Sequence, residues 1–132
     1  MSGPVFLDYS QQELDDAYDQ SVYAPNSQDI ALRNERRIEE ARKRLGEPLR
    51  FAYGPSPIEQ LDVFRTERVP APVVVYVHGG AWRAGSARTG GIAAEMIVSA
   101  GAHLVALDFM NVEQTSGSLS LMASQEIGRA HV

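Results

Sequence analysis

The sequence predicts an α/β fold in which an antiparallel hairpin is followed by a parallel strand-helix-strand unit, with two helices ahead of both. Three observations lead to this prediction. Alternating apolar residues flank the turn Gly-Pro-Ser-Pro at 54–57, which is typical of a hairpin. The run VVVYV at 73–77 is continuously apolar, as in strands covered on both faces. A helical pattern and a second apolar strand follow this run. A strand, a helix and a second strand in this order typically place the two strands parallel in one sheet.

Two helices are predicted before the first strand. Ser10 and Glu13 have the spacing of a capping box, so a short acidic helix begins there. Residues 23–27 interrupt it, and a longer helix then ends before Gly46. We expect one apolar stripe of the longer helix to face the core. This stripe consists of Ile38, Ala41 and Leu45.

The remaining elements follow from apolar patterns and glycine positions. The predicted strands cover residues 49–53, 61–65, 73–77 and 103–109. A helix is expected over 89–100, because Gly101 stops its pattern, and another begins near Leu119.

Composition limits the function classes. The chain has 132 residues, a net charge of −5 and no cysteine, which excludes disulfides, thiolate nucleophiles and Cys-bound metals. No His or carboxylate group has metal-ligand spacing, so no metal or other cofactor is predicted. The N-terminus does not have the pattern of a signal peptide, and no apolar run approaches the ~20 residues that cross a bilayer. We therefore expect a cytoplasmic protein with no membrane partner, of undetermined oligomeric state.

A basic run at 31–45 raises the question of nucleic-acid binding. Acidic residues interrupt the run, and Glu39–Lys43 and Glu40–Arg44 form i,i+4 pairs in the favourable order. This pattern is typical of a solvated helix face, so no nucleic-acid partner is predicted.

The segment His78-Gly79-Gly80-Ala81-Trp82 follows the strand at 73–77 and is the candidate site. Its two glycines permit a sharp turn, and backbone N–H groups beyond a strand end can hold a negative charge. Such a loop suits the oxyanion of acyl transfer. A phosphate-binding loop is the alternative, but no Lys follows Gly85 as that motif requires.

This segment resembles the H-G-G-x-W element of the kynurenine formamidase (arylformamidase) branch of the α/β-hydrolases, near the hormone-sensitive-lipase-type esterases. YGPSPIEQLDVFR and LDFMNVEQTSGSL add to the likeness, which covers about residues 8–124. The resemblance implies the N-terminal half of an α/β-hydrolase fold, with strands in the order 1-2-4-3. It also implies a full-length serine hydrolase that acts on a small acyl ester or aryl formamide through an acyl-enzyme.

The resemblance assigns roles to the five residues of the loop. Gly79, Gly80 and Ala81 would offer oxyanion-hole N–H groups. His78 would brace the loop by hydrogen bonds, and Trp82 would either pack the loop or form a wall of the acyl pocket.

No nucleophile, acid or base is predicted within the chain. The motif G-x-S-x-G is absent around Ser86, Ser99 and Ser118. Asp108 precedes any nucleophile in chain order, so we expect it to support loops rather than complete a triad. The chain alone is therefore predicted to be inactive. The alternative is a non-catalytic binding protein or a degenerate hydrolase that keeps the fold.

Three segments are predicted. Residues 1–48 form a helical lead-in, 49–125 form a partial hydrolase domain, and 126–132 form a non-native tail whose codons resemble a sequencing adapter. His131 lies in this tail and is discarded as a catalytic candidate. In the implied strand order the 73–77 strand is an edge, and an uncharged apolar edge favours aggregation.

Overall fold

A four-stranded mixed sheet organises the structure. The computed structural model describes residues 3–127. The strands are β1 (Leu49–Ala52), β2 (Gln60–Phe64), β3 (Val73–Val77) and β4 (His103–Leu107), in the order β1-β2-β4-β3. β1 pairs antiparallel with β2 and β2 antiparallel with β4, whereas β3 and β4 are parallel. The fold is mixed α/β, and the predicted hairpin, parallel unit and order of these four strands are confirmed.

Five α-helices accompany the sheet in the described part of the chain. They are α1 (Gln11–Tyr18), α2 (Gln20–Tyr23), α3 (Ser27–Leu45), α4 (Gly91–Ser99) and α5 (Leu119–Ile127). A 3₁₀ turn, Ala87–Gly90, leads into α4. The sequence did not predict α2, because four residues are too few to show a helical period. Across residues 3–127, no helix combines the length and the apolar character needed to cross a bilayer.

The chain divides into two compact units, Met1–Glu35 and Arg36–Val132, with the boundary inside α3. In the first unit the predicted capping box is confirmed. The Ser10 hydroxyl accepts from the Glu13 N–H at 3.3 Å, and the Ser10 N–H donates to Glu13 Oε2 at 2.8 Å. The segment limits at 48 and 125 stay predictions. Of the predicted tail, residues 128–132 with His131 lie outside the described residues.

The core lies on one face of the sheet. Phe64, Leu104 and Ala106 are buried there, and α4 and the 3₁₀ turn pack against β4. The predicted stripe of α3 also faces inward. Ile38 and Ala41 are buried, and Leu45 packs against the cluster that contains Phe64 and Leu104.

The opposite face of the sheet carries two rows of apolar side chains, none of them buried. The strand registers align Leu49 with Val63, Val105 and Val75, and Phe51 with Leu61, Leu107 and Val77. We call this surface the open face.

β3 is an edge strand, as predicted, but the expectation that it is covered on both faces is wrong. Val73 and Val75 are 59% and 57% exposed. The described helix α4 packs on β4, and no described strand lies beyond β3.

Candidate functional site

A cleft of about 420 Å³ opens at the carboxyl end of β3. This size falls within the usual range of small-molecule sites. The structure places all five predicted site residues, 78–82, along the cleft, and no Lys, Arg, Asp or Glu lines it. The lining consists of Val77, His78, Gly79, Gly80, Ala81, Trp82, Ala84 and Phe109.

The loop turns through three successive residues with positive φ. These are Gly80 at +134°, Ala81 at +51° and Trp82 at +64°. The left-handed conformation costs a non-glycine residue roughly 1–2 kcal/mol, so other contacts must hold the loop. Part of that support is internal, since the N–H groups of Arg83 and Ala84 both donate to the Gly80 carbonyl at 3.0 Å.

Two glycines of this loop are sterically required, and a third is not. A Cβ on Gly80 would lie 2.0 Å from the Ala84 carbonyl oxygen, and a Cβ on Gly85 would lie 2.2 Å from His78 Nδ1. Nothing lies within 4 Å of the position a Cβ would take on Gly79. Gly79 therefore faces open space, while Gly80 and Gly85 permit the close packing of the loop.

Four consecutive backbone N–H groups border the cleft without a protein acceptor. Among the described residues, those of Gly79, Gly80, Ala81 and Trp82 donate no hydrogen bond. Residues 79–82 are exposed, so these N–H groups are open to water or to a ligand. Successive backbone N–H groups in a turn can form concavities that bind anions. This stretch of backbone can therefore stabilise a negative charge.

His78 is fixed in the wall of the cleft. Its ring stacks on Phe109 with a centroid separation of 4.2 Å and an interplanar angle of 8°. Its Nδ1 donates to the Gly79 carbonyl at 3.0 Å. Trp82 is 59% exposed and lines the cleft, so in this structure its indole is not packed in the core.

The loop that follows β4 holds the glycine loop in place. The Val112 N–H donates to the Trp82 carbonyl at 2.8 Å, and Asn111 Nδ2 donates to the Arg83 carbonyl at 3.3 Å. Asn111 Oδ1 in turn accepts from the Gln114 N–H at 2.9 Å. The sequence did not single out Asn111, because nothing local indicates which carbonyl its amide reaches.

Asp108 is a buried support of the same loop system, as predicted. Its Oδ1 accepts from the Ala87 N–H at 2.6 Å, and its Oδ2 pairs with Arg50. Arg50 also donates to Asp62 at 2.6 Å. The hydrogen bond to Asp108 is the main reason why the pKa of Arg50 is raised, against the opposing effect of burial. Asp108 therefore ties the 3₁₀ turn to β1.

No hydrogen bond joins a serine to a histidine among the described residues. His78 bonds to its neighbouring carbonyl, and His103 Nδ1 accepts from the Thr66 N–H at 3.1 Å. The Ser118 hydroxyl bonds to that of Ser120. Within residues 3–127 no cluster of three His, Asp or Glu side chains could hold a metal ion.

Comparisons with known proteins give one informative similarity. No family model matches the chain, and no curated protein matches it. A crystal structure from Silicibacter sp. TM1040, described as a "putative thioesterase", aligns with a TM-score of 0.69 and 27% identity. The alignment covers 89% of this chain and 46% of that one, so the chain spans about half the length of the solved protein.

This similarity corrects the family expectation. The assignment to the kynurenine formamidase branch of the α/β-hydrolases is wrong, since the similarity points instead to a thioesterase-like fold. Nothing supports a formamidase activity or the interpretation of the chain as a truncated hydrolase. The physical reason is that H-G-G-x-W describes a turn, and a five-residue turn does not fix a family. What the comparison supports is a mixed α/β chain similar to a solved protein described as a "putative thioesterase".

Proposed function

We propose that this chain forms the anion-stabilising part of a site that hydrolyses small acyl esters or thioesters. The main observation that supports this proposal is the row of four N–H groups, at residues 79–82, that have no acceptor among the described residues and lie beside the apolar cleft. When a nucleophile adds to an acyl carbonyl, the carbonyl oxygen gains a full negative charge. One backbone or side-chain donor to that oxygen typically lowers the barrier by about 3 kcal/mol.

Each residue of the loop has a proposed role. Gly79, Gly80 and Ala81 donate to the oxyanion through their N–H groups. His78 braces the loop, which its bond to the Gly79 carbonyl and its stacking on Phe109 support. Trp82 forms a wall of the acyl pocket, which its exposure and its place in the cleft lining support.

The nucleophile is proposed to come from outside residues 3–127, because no serine is hydrogen-bonded to a histidine among the described residues. The described residues then stabilise charge but do not attack the substrate. We accordingly expect the 132-residue chain to show no turnover of p-nitrophenyl acetate above the buffer rate.

Acetate binding tests the anion site directly. Titration of ¹⁵N-labelled chain with sodium acetate should shift the amide resonances of residues 79–82, because the carboxylate resembles the oxyanion. Sodium chloride at the same ionic strength is the control. Amides 79–82 that respond equally to both salts, or to neither, would refute the proposal.

A non-catalytic binding protein is the second candidate, and the absence of a Ser–His hydrogen bond in the described part of the chain favours it. It predicts the same acetate binding. A longer protein that contains this chain separates the two candidates. Hydrolysis of p-nitrophenyl acetate or an acyl thioester by that protein supports the first, and binding without hydrolysis supports the second.

A further inference from the structure

We propose that the cleft selects acyl groups that carry a flat apolar ring, so that it binds aromatic carboxylates in preference to acetate. The inference rests on the proposed function, because the loop N–H groups are taken to hold the carboxyl oxygen. It adds the class of acyl group, which nothing in the comparisons specifies.

The walls of the cleft are flat and aromatic. The Trp82 indole lines it and is 59% exposed, so its face is available to a ligand. The stacked pair of His78 and Phe109 forms a second planar surface. Aromatic rings pack favourably against such faces, beyond the effect of burying their area.

The volume of the cleft suits a ring with a carboxyl group. A cavity of about 150 Å³ is sufficient to hold benzene. The 420 Å³ cleft therefore accommodates a benzoyl group and leaves space for its carboxyl oxygens at the loop. Acetate would leave most of this space to water.

The distribution of polarity also favours an anion with an apolar body. No Lys, Arg, Asp or Glu lines the cleft, and its polar groups are the loop backbone and His78. Val77, Ala81 and Ala84 complete an apolar lining. A ligand with polar substituents distributed around its ring would lose hydrogen bonds to water that this lining cannot replace.

The chain provides a specific optical probe, since Trp82 is its single tryptophan. We expect benzoate to quench or shift Trp82 emission and to move amides 79–82 in the same concentration range. Benzoate should bind on the order of 10-fold more tightly than acetate, from the ring contacts. Benzyl alcohol, which has the ring without the charge, should bind more weakly than benzoate.

The outcomes separate the two proposals. Equal affinity for acetate and benzoate overturns the ring preference and leaves the anion site intact. If neither carboxylate moves amides 79–82, the proposed function fails and the ring preference falls with it. Tight binding of benzyl alcohol overturns the claim that the loop N–H groups hold the carboxyl group.

Variants of Trp82 locate the ring contact. Trp82→Ala should weaken benzoate binding about 10-fold more than it weakens acetate binding, with affinities taken from the amide shifts. Trp82→Phe keeps a flat ring and should retain most of the benzoate affinity. Met96→Ala, at a side chain 68% exposed on α4, is the matched control and should change neither affinity. If Trp82→Ala does not fold, Trp82→Phe and the comparison of ligands on the unaltered chain still decide the question.

Discussion

Gly79 and Gly80 are neighbours in the motif, yet their surroundings differ completely. Gly80 has a φ of +134° and would place a Cβ 2.0 Å from a backbone oxygen. Gly79 has open space around the same position. We therefore propose that Gly79 is selected because it lets a ligand approach the backbone, whereas Gly80 is required for the turn itself.

This difference predicts opposite outcomes for two similar substitutions. Gly80→Ala should lower the free energy of unfolding by about 2–3 kcal/mol, because the strained φ and the clash with Ala84 act together. Gly79→Ala should change it by no more than about 0.5 kcal/mol. Urea denaturation of both variants measures the difference. Similar losses of stability in the two variants would contradict the loop geometry described above.

At the scale of residues, the sequence revealed the loop but not its supports. The spacing of His78 and its two glycines is local, and a local pattern is visible without a structure. Gly85, Asn111 and Arg50 act across the fold, on His78, the Arg83 carbonyl and Asp108 respectively. A pattern in a single sequence cannot predict such contacts, because they depend on which loops lie next to each other in the folded chain.

The start of α1 shows how a single element responds to pH. The pKa of Glu13 is lowered from its usual 4.5, first by the hydrogen bond from the Ser10 N–H and then by that from the Ser10 hydroxyl. A carboxyl group whose pKa is lower in the folded state stabilises that state above the unfolded value. The contribution is lost as the pH falls through the folded value.

We therefore expect the N-terminal turn of α1 to fray as the pH falls below about 4.5, while it is unaffected between pH 6 and 8. The amide exchange rate and chemical shift of Ser10, followed by NMR, report this. Glu13→Gln provides the control, because glutamine can also accept from the Ser10 N–H but does not titrate in this range. An identical pH response in Glu13→Gln would show that another group is responsible.

At the scale of elements, the hydrophobic period and the helix-capping residues predicted most boundaries of helices and strands. The burial of these elements was predicted less well. We expected other elements to cover both faces of β3, because VVVYV is continuously apolar. The composition of a strand does not determine how many of its faces are packed against other elements. In α4 the large apolar side chains of Ile92 and Met96 are 41% and 68% exposed. The buried positions are Gly91 and Ala94, since small residues permit close packing of the helix.

The whole molecule combines an apolar edge with an apolar face. No strand among residues 3–127 pairs with the outer edge of β3, which has five uncharged residues, and the open face extends the apolar surface across all four strands. Native sheets normally protect such edges with charge, proline or a covering element. We therefore expect the 132-residue chain to self-associate through β3.

A charge at the centre of β3 should suppress this association. Val75→Lys places an ammonium group on the edge strand, at the β3 end of one apolar row, so monomer should predominate at higher protein concentration. Sedimentation velocity over a range of concentrations measures the effect. Val5→Lys is the matched control, since Val5 is 55% exposed, lies outside the sheet and receives the same charge. Equal suppression by both variants would attribute the effect to net charge and not to the edge.

The bond between His78 and Gly79 has a consequence for proton transfer at the cleft. A carbonyl oxygen can only accept, so Nδ1 of His78 must carry the hydrogen. In the neutral ring, Nε2 then holds a lone pair and no proton. The one histidine that lines the cleft can thus take a hydrogen bond from a ligand through Nε2, but it cannot give one there unless the ring becomes charged. A leaving group can therefore obtain a proton from His78 only after Nε2 has first accepted one.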